Sequence, residues 1–304
     1  MLLGSVSIST RNILICAHWF APLLLLASCQ SQSWGKFWED TDSNPRTAAQ
    51  SCPTGYIRVP ANAAVGTTAD FCVAKFEMKN NAGAKSEAIG LPWVSINQTN
   101  AITECANLGA NYHLINNEEW MTIARNLENV ASNWNGNVVG TNALNSGHND
   151  NAPTSALAAN TDDTQGCTST GQVCSNVTWN SQRRTHTLSN GEVIWDFAGN
   201  VWEWSSWQVT QANKATALCG TACYEEFTNV TAIGVMTTAT WQATINTLTS
   251  TNGIGRYYQG TADPAAAARG GAWSNGATTG VFALSLLSGP TFTDADIGFR
   301  CAYQ

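Results

Sequence analysis

The sequence contains few basic residues, and this shortage limits the partners that the protein can bind. Lysine and arginine together number 14, against 21 aspartate and glutamate residues, which gives the 304-residue chain a net charge of −7. No segment interleaves basic with aromatic residues. Because binding to DNA or RNA requires cationic side chains that neutralise phosphates, the composition argues against a nucleic acid as partner.

The common catalytic motifs are also missing. The chain has no Gly-x-Ser-x-Gly nucleophile elbow, no phosphate-binding loop and no His-Glu-x-x-His pair. It has only four histidines, of which His18 lies in the N-terminal apolar segment. The other three, His113, His148 and His186, do not have the spacing of metal ligands. Since these motifs are absent, the sequence does not predict a catalytic centre of any of these common types.

One apolar run has the features of a targeting signal. Arg11 precedes residues 13–26, which are mostly apolar and end in small residues. This is the pattern of an export signal, and it is too short and too poorly flanked for a membrane span of the mature protein. The sequence Leu26-Ala27-Ser28-Cys29 resembles the lipobox of bacterial lipoproteins. We therefore expect residues 1–28 to be a lipoprotein signal peptide and Cys29 to carry lipid; the alternative is an ordinary secretory signal.

The resemblance to a lipoprotein signal implies where the protein resides. Gln30, and not an aspartate, follows Cys29, which favours the outer membrane of Gram-negative bacteria. More than one acyl chain makes such an anchor stable. Residues 29–50 are polar without an apolar period, so we expect a flexible tether between the lipid and a folded domain at residues 51–304. The expected location is the bacterial outer membrane or cell surface, with the membrane contacted through the lipid anchor.

The cysteine count predicts a disulfide-bonded domain. Ten cysteines are present, and eight remain after Cys16 is assigned to the signal and Cys29 to the lipid. An even number in an exported chain indicates four disulfides, although their connectivity does not follow from the sequence alone. The pairs that we expect from neighbouring cysteines are Cys52–Cys72, Cys167–Cys174 and Cys219–Cys223. Zinc is the rival explanation for the last pair, but no second pair or nearby histidine completes a tetrahedral site.

Near the C-terminus, five residue types are missing together. Residues 274–296, here called the C-terminal block, contain no Lys, Glu, Gln, Met or Trp, although all five types occur elsewhere and tryptophan alone occurs 13 times. Two motifs frame the block: Arg269-Gly270-Gly271-Ala272-Trp273 before it and Ile297-Gly298-Phe299-Arg300 after it. Glycines at these positions allow a close backbone approach, and Trp273 and Phe299 are expected to anchor the frame in the core.

The frame resembles the C-terminal strands of the formylglycine-generating enzyme (sulfatase-modifying factor) branch of C-type lectin-like folds. The C-terminal block resembles that of the variable proteins of diversity-generating retroelements, in which asparagine codons randomised at their adenines cannot become Lys, Glu, Gln, Met or Trp. Ala277, Ala283 and Pro290 match the spacings of the residues that such templates keep. The resemblance implies an α+β, C-type lectin-like fold with long loop insertions, at about 133–181 and 208–265. The alternative for the block is a loop of small residues followed by a core strand.

Local patterns agree with this resemblance. A strand is predicted at residues 71–78, and a first helix from Thr99 or Asn100, with Ile102, Cys105 and Ala106 facing the sheet. In the resembling family the first helix is joined to the last strand, which implies a disulfide between Cys105 and Cys301.

A second helix is predicted from its capping box. Asn116 accepts a hydrogen bond at the start of this helix and Glu119 reaches back to it. The buried stripe that we expect on this helix consists of Trp120, Ile123, Ala124 and Leu127.

Residues 195–204, Trp-Asp-Phe-Ala-Gly-Asn-Val-Trp-Glu-Trp, resemble a motif of the same family and predict core tryptophans. In the family this segment can hold calcium through oxygen ligands, which correspond here to Asp196, Gly199, Val201 and Glu203. Such ligands suit Ca²⁺ in a structural role. The alternative is a metal-free turn in which Glu203 caps backbone amides.

The resemblance also indicates that the chain is not an enzyme. The oxidases of the family bind copper through two cysteines, and the matching positions here are Asn275 and Gly280. Without thiolates there is no site for Cu(I). The iron-dependent members use three histidines, for which the histidines of this chain lack the spacing. We therefore expect neither copper nor iron.

The remaining prediction is recognition of a protein or other surface ligand by the C-terminal block. The side chains expected to form this variable surface are Ser274, Asn275, Gly276, Thr278, Thr279, Val281, Phe282, Leu284, Leu286, Leu287, Thr291, Phe292, Asp294 and Asp296. Its apolar members would form an exposed patch with a polar rim, as in protein interfaces. A buried strand over residues 281–287 is the competing interpretation. The alternative functions are a formylglycine-generating-like enzyme with a non-standard site, and an invariant calcium-dependent lectin. The second lacks the expected Glu-Pro-Asn or Gln-Pro-Asp triplet.

Overall fold

The computed structural model describes residues 51–217, 219–231 and 241–304. They belong to one unit, Thr47–Gln304. The expected signal peptide, the expected lipidation site at Cys29 and the expected tether lie outside the described residues. Within the described ranges, no helix is long and apolar enough to cross a membrane.

The first helix, α1, spans Gln98–Ala106 and begins slightly earlier than expected, because the side chain of Asn97 accepts a hydrogen bond from the Asn100 amide and caps it. The expected buried face is wrong in two positions. Cys105 is buried, but Ile102 is 37% exposed and Ala106 is exposed. Ala101, one turn before Cys105, takes the inner position instead.

The second helix, α2, spans Asn117–Glu128 and has the predicted capping box. The side chain of Asn116 accepts from the Glu119 amide at 2.8 Å, and the Glu119 carboxylate accepts from the Asn116 amide at 3.0 Å. The expected stripe is buried, and Trp120 is its largest side chain. The indole N–H of Trp120 donates to the carbonyl oxygen of Val281 at 2.8 Å, which ties α2 to the C-terminal block.

Sixteen short strands lie in the described ranges. They are β1 Tyr56–Val59, β2 Phe71–Ala74, β3 Met78–Asn80, β4 Ala84–Ser86, β5 Tyr112–Leu114, β6 Thr185–Thr187, β7 Val193–Trp195, β8 Trp202–Val209, β9 Thr216–Ala217, β10 Cys223–Glu225, β11 Val230–Thr231, β12 Tyr257–Gln259, β13 Ala265–Arg269, β14 Leu284–Leu286, β15 Ile297–Phe299 and β16 Cys301–Tyr303. The strand predicted at 71–78 is therefore β2, and β3 starts at its last residue.

Two sheets organise the domain. A four-stranded antiparallel sheet has the order β1-β2-β16-β5, and a six-stranded sheet has the order β10-β12-β14-β13-β8-β15. In the larger sheet β12 pairs with β14, and β15 with β8, in parallel, while the other pairs are antiparallel. The C-terminal block lies between β13 and β15, is separated from the end of β13 by four residues, and supplies β14 in the interior of this sheet.

Four disulfides join the cysteines in the pairs that were expected: Cys52–Cys72, Cys105–Cys301, Cys167–Cys174 and Cys219–Cys223. Cys105–Cys301 fastens α1 to β16 across 196 residues of chain, while the other three close short loops. Trp195, Trp202 and Trp204 of the family-like motif are buried, as expected. The buried tryptophans of β8 and the disulfide that follows β15 thus both fasten the same side of the large sheet.

Candidate functional site

Buried contacts fix the chain where it enters the C-terminal block. Arg269 is fully buried and donates to the carbonyl oxygen of Phe282 at 3.2 Å and to Asn117 Oδ1 on α2. Gly271 follows with φ +87°. A Cβ there would stand 2.6 Å from the hydroxyl of Thr279, so the close approach and the left-handed backbone both require glycine.

The exit from the block is fixed by an ion pair. The guanidinium of Arg300 donates to Glu203 on β8 through two hydrogen bonds, of 2.6 and 3.0 Å, and both side chains are fully buried. Arg300 also donates to the carbonyl oxygens of Ala74 and Trp195, at 2.8 and 2.9 Å. Such bidentate, charge-assisted bonds set a side chain in one orientation. The frame is therefore rigid on both sides of the block.

Five of the side chains expected on the variable surface are buried, which corrects that part of the prediction. They are Thr279, Val281, Phe282, Leu284 and Leu286. The reason is topological: β14 lies between β12 and β13 inside the large sheet, and the segment before it packs beneath α2. The competing interpretation, a buried strand over residues 281–287, is thus correct for Leu284 and Leu286 on β14, while Val281 and Phe282 are buried in the turn before it.

The other nine side chains of the predicted surface reach solvent. Ser274, Thr291, Phe292 and Asp294 are exposed. Asn275, Gly276, Thr278, Leu287 and Asp296 are half-buried. Along β14 the period of two explains the division, since Leu284 and Leu286 point into the core while Ser285 and Leu287 point to the other face.

That other face carries a cavity of about 140 Å³. Its shape follows from one row of residues across the sheet, Tyr224-Tyr258-Ser285-Ala268-Trp204, which pair in register from β10 to β8. Small side chains stand in the middle of this row, and aromatic side chains stand at both ends. The space above Ser285 and Ala268 is therefore left open between aromatic walls.

The C-terminal block supplies half of the cavity lining: Asn275, Ser285, Leu287, Ser288, Phe292, Asp294 and Asp296. Residues outside the block supply the other half, chiefly Trp202 and Trp204 on β8 and Tyr224 and Tyr258 on β10 and β12. The two tyrosine rings are stacked, with centroids 4.1 Å apart. The site thus combines an aromatic wall from the scaffold with a more polar wall from the block.

The cavity has an excess of negative charge. Burial, and then the neighbouring charge of Asp294, raise the pKa of Asp296 to about 6. Burial raises the pKa of Tyr224 to about 12, so its hydroxyl keeps its proton at neutral pH. Among the described residues, no cationic side chain forms an ion pair with Asp294 or Asp296. At neutral pH the cavity therefore holds carboxylates without a counter-charge.

The residues that were expected to bind calcium do not fit a metal ion. Both oxygens of Asp196 accept from Arg184, at 2.7 Å each, and both oxygens of Glu203 accept from Arg300. A metal would have to displace a buried guanidinium at each carboxylate. Gly199 and Val201 lie in the same turn, where the Val201 amide donates to Glu77 at 3.3 Å.

The charges around this turn already balance. Besides the two ion pairs, buried Glu77 accepts from the side chain of Asn200 at 2.6 Å, and buried Lys79 lies in the same cluster. Burial raises the pKa of Glu77, and burial lowers the pKa of Lys79. Calcium would add two positive charges to a cluster in which three cations face three carboxylates. The motif here is built from arginine and carboxylate pairs.

The positions that match the copper ligands have structural tasks. The side chain of Asn275 accepts from the Ala272 amide at 2.9 Å and closes a turn. Gly280 packs against the chain at Gly253 and Ile254, where a Cβ would stand 2.3 Å from a backbone carbon. A thiol at position 280 would require this backbone to move.

The three histidines of the folded domain each have separate surroundings. His113 contacts Glu119 at 2.8 Å, and His148 contacts the carbonyl oxygen of Ser155 at 3.1 Å. Burial lowers the pKa of His186 to about 3, so this residue is neutral. In the described part of the chain, no three side chains of His, Cys, Asp or Glu cluster as metal ligands would.

The scaffold half of the cavity could not be predicted from the motifs of the sequence. Tyr224 and Tyr258 lie in the insertion at 208–265, whose composition predicts surface loops, and the motif that contains Trp202 predicts a core residue. Tyr224 directly follows the Cys219–Cys223 disulfide, and that constraint on an aromatic residue was the available signal. Ser285 and Ser288, which also belong to the block, line the cavity in addition to the predicted surface residues.

Known proteins provide a family assignment. The sulfatase-modifying factor enzyme 1-like domain family matches residues 30–304. No curated protein sequence matches the chain. Among solved structures, the Major Tropism Determinant I1 variant aligns with a TM-score of 0.39 and 18% identity, over 83% of this chain and 53% of the other. This chain thus spans about half the length of that protein.

Two further structures align over most of both chains. Treponema denticola variable protein 1 does so with a TM-score of 0.41 and 15% identity, over 82% of this chain and 91% of the other. PvdO from Pseudomonas aeruginosa gives 0.39 and 11%, over 83% and 92%. The family match, which covers nearly the whole chain, confirms the expected α+β fold of the C-type lectin-like type. The protein belongs to the sulfatase-modifying factor enzyme 1-like domain family.

Proposed function

We propose that this protein is a ligand-binding protein whose C-terminal block forms a variable recognition surface, diversified by a retroelement. One coincidence carries the proposal. The segment that lacks Lys, Glu, Gln, Met and Trp is the segment that lines one side of the cavity, and rigid contacts hold the chain at both of its ends. A frame of this kind lets exposed side chains change while the backbone stays in place.

The test of this proposal lies in the DNA. We expect a near-copy of the segment that encodes the block to lie close to the gene, beside a reverse transcriptase, and to differ from it mainly at adenines. Sequencing the gene in many cells of one culture should reveal substitutions in codons 274–296 and none in the flanking frame. A genome without such a copy, or variation spread evenly over the gene, would contradict the proposal.

The same proposal includes display on the cell surface through lipid at Cys29, which the lipobox-like sequence supports. Metabolic labelling with an alkyne fatty acid should modify the wild-type protein, while Cys29→Ser should abolish the labelling and the association with membranes. Cys16→Ser, which alters the other N-terminal cysteine, is the matched control and should leave labelling intact. Equal labelling of the Cys29→Ser variant would rule out the anchor.

A non-catalytic role is part of the proposal, because the copper positions of the family oxidases serve the fold here. The double variant Asn275→Cys/Gly280→Cys supplies both thiols and tests this reasoning. We expect it to be destabilised and to show no tight binding of Cu(I) in competition with a chromogenic chelator. A folded variant with a stoichiometric copper site would refute the argument from packing.

A further inference from the structure

The cavity beside the C-terminal block has the composition of a site for an organic cation. Resting on the proposed recognition function, we propose that this cavity binds the side chain of an arginine from a protein partner, with its aliphatic part against the aromatic wall and its guanidinium at Asp294 and Asp296. Size, wall chemistry and charge each support this occupant.

The size of the cavity selects a single side chain. Its volume is about 140 Å³, below the roughly 300–1,000 Å³ of pockets that enclose whole small ligands. It is several times the roughly 30 Å³ that one water molecule occupies in the liquid. A side chain that projects from a larger partner therefore matches the available space.

The aromatic wall favours a flat cation. Tyr224 and Tyr258 stand at one end of the residue row and Trp204 at the other, with Trp202 beside it. Aromatic faces attract cations through their quadrupole, and guanidinium groups stack on them more readily than ammonium groups do. Phe292, which is 40% exposed, lies at the solvent side and adds apolar surface for the aliphatic part.

Charge complementarity identifies the sign of the ligand. Asp294 and Asp296 line the cavity, and no described cationic side chain pairs with them. Elsewhere in this domain, buried carboxylates such as Asp196 and Glu203 have their own arginine partners. Asp294 and Asp296 have no such partner among the described residues, so a cation from a binding partner could supply their counter-charge. A guanidinium can bond with two carboxylate oxygens at once, which an ammonium cannot do in the same geometry.

The two halves of the cavity have different origins. The aromatic wall belongs to the scaffold, whereas both carboxylates belong to the C-terminal block. The inference is therefore specific to this version of the block. A C-terminal block with neutral residues at positions 294 and 296 should leave the aromatic wall of the cavity intact and remove the preference for a cation.

The experiment uses the folded protein and three small probes: Nα-acetyl-arginine amide, its neutral analogue Nα-acetyl-citrulline amide, and Nα-acetyl-lysine amide. The indole N–H signal of Trp202 in ¹H–¹⁵N spectra reports occupancy. We expect saturable binding of the arginine probe, binding of the citrulline probe at least tenfold weaker, and binding of the lysine probe intermediate between them. Equal binding of arginine and citrulline would overturn the proposal, and lysine binding tighter than arginine would overturn the assignment to a guanidinium.

Variants separate the site from general charge effects. The double variant Asp294→Asn/Asp296→Asn should weaken binding of the arginine probe at least tenfold and leave binding of the citrulline probe unchanged. Glu192→Gln removes an exposed carboxylate that lines no part of the cavity, and it should change neither probe. An equal loss in both carboxylate variants would refute a local site. The binding test does not depend on whether a template copy exists in the DNA. If the arginine probe does not bind, the proposal of a variable block is unaffected. If no template copy is found, the cavity can still be a fixed arginine site.

Discussion

Replacement of Asp296 by asparagine is expected to stabilise the protein at neutral pH while it removes a ligand-binding charge. Burial, and then the charge of Asp294, raise the pKa of Asp296 from 3.8 to about 6 in the folded state. Above pH 6 the carboxylate is ionised in both the folded and the unfolded chain. The folded state therefore bears the full free-energy cost of holding this charge in its buried position. Below pH 3.8 the carboxyl group is protonated in both states, and the cost of burying its charge vanishes.

The magnitude follows from the shift. About two pKa units correspond to about 3 kcal/mol, at roughly 1.4 kcal/mol for each unit. Because Asp296 is half-buried and solvent screens its charge, we reduce this to about 1.5 kcal/mol. For a domain of this size that is a rise in melting temperature of about 3–6 °C for Asp296→Asn at pH 7.5. The difference from wild type should shrink steadily from pH 6.5 to pH 4.

The assay is thermal and urea unfolding of both proteins at pH 4.0, 5.0, 6.0 and 7.5 with the disulfides intact. Glu192→Gln, at an exposed carboxylate, serves as the control, and we expect its effect to stay within about 0.5 kcal/mol at every pH. A variant that is less stable than wild type at pH 7.5, or a gain that does not depend on pH, would show that the Asp296 charge is not strained in the fold.

Three further predictions concern the scaffold. Glu203→Gln leaves the Arg300 guanidinium buried without its partner and should lower the free energy of unfolding by about 3–5 kcal/mol in urea titrations; an effect under 1 kcal/mol would contradict the role of the pair. Arginines already pair with the carboxylates of the expected calcium turn, so EDTA or millimolar calcium should shift the melting temperature by less than about 1 °C in calorimetry. A larger stabilisation by calcium would show that the turn does bind the metal. From loop-closure entropy, removal of Cys105–Cys301 by paired serine substitutions should lower the free energy of unfolding by about 5 kcal/mol, and removal of Cys219–Cys223 by about 2 kcal/mol. Equal decreases for the two disulfides in denaturant unfolding would refute this order.

Much of the fold could be predicted from local chemistry. The capping box at Asn116 and Glu119 needs only residues three positions apart, and the structure forms it as expected. The pairing of Cys105 with Cys301 came from resemblance to a family, since nothing local connects residues 196 positions apart. The expectation for Ile102 was wrong because Cys105 belongs to two adjacent faces of α1, and packing against the sheet buries the face that contains Ala101.

The site could be predicted only in part, because burial in a sheet depends on strand order. Val281, Phe282 and Leu284 have a composition that suits an exposed patch as well as a core strand. Only tertiary contacts decide: β14 lies between two other strands, and the turn before it contacts α2 through Trp120. In the same way, the calcium turn matched a family pattern, but the arginines that occupy its carboxylates come from positions 184 and 300, outside the motif. Long-range partners of this kind are invisible to a motif.

The position of β14 inside the large sheet has a consequence for diversification. Polar substitutions at Val281, Phe282, Leu284 or Leu286 would place unpaired groups or cavities in the core and cost about 2–5 kcal/mol each, a large share of the roughly 5–15 kcal/mol that stabilises a typical domain. Substitutions at the solvent-facing positions carry no such penalty. Random changes over the whole block would therefore be filtered by folding, and the surviving variants would differ mainly around the cavity. Ala268 and Trp204 of the residue row lie outside the block and keep their part of the cavity constant, so variation around them changes what the cavity prefers. Ser285 lies inside the block, and a large residue at position 285 would fill the space.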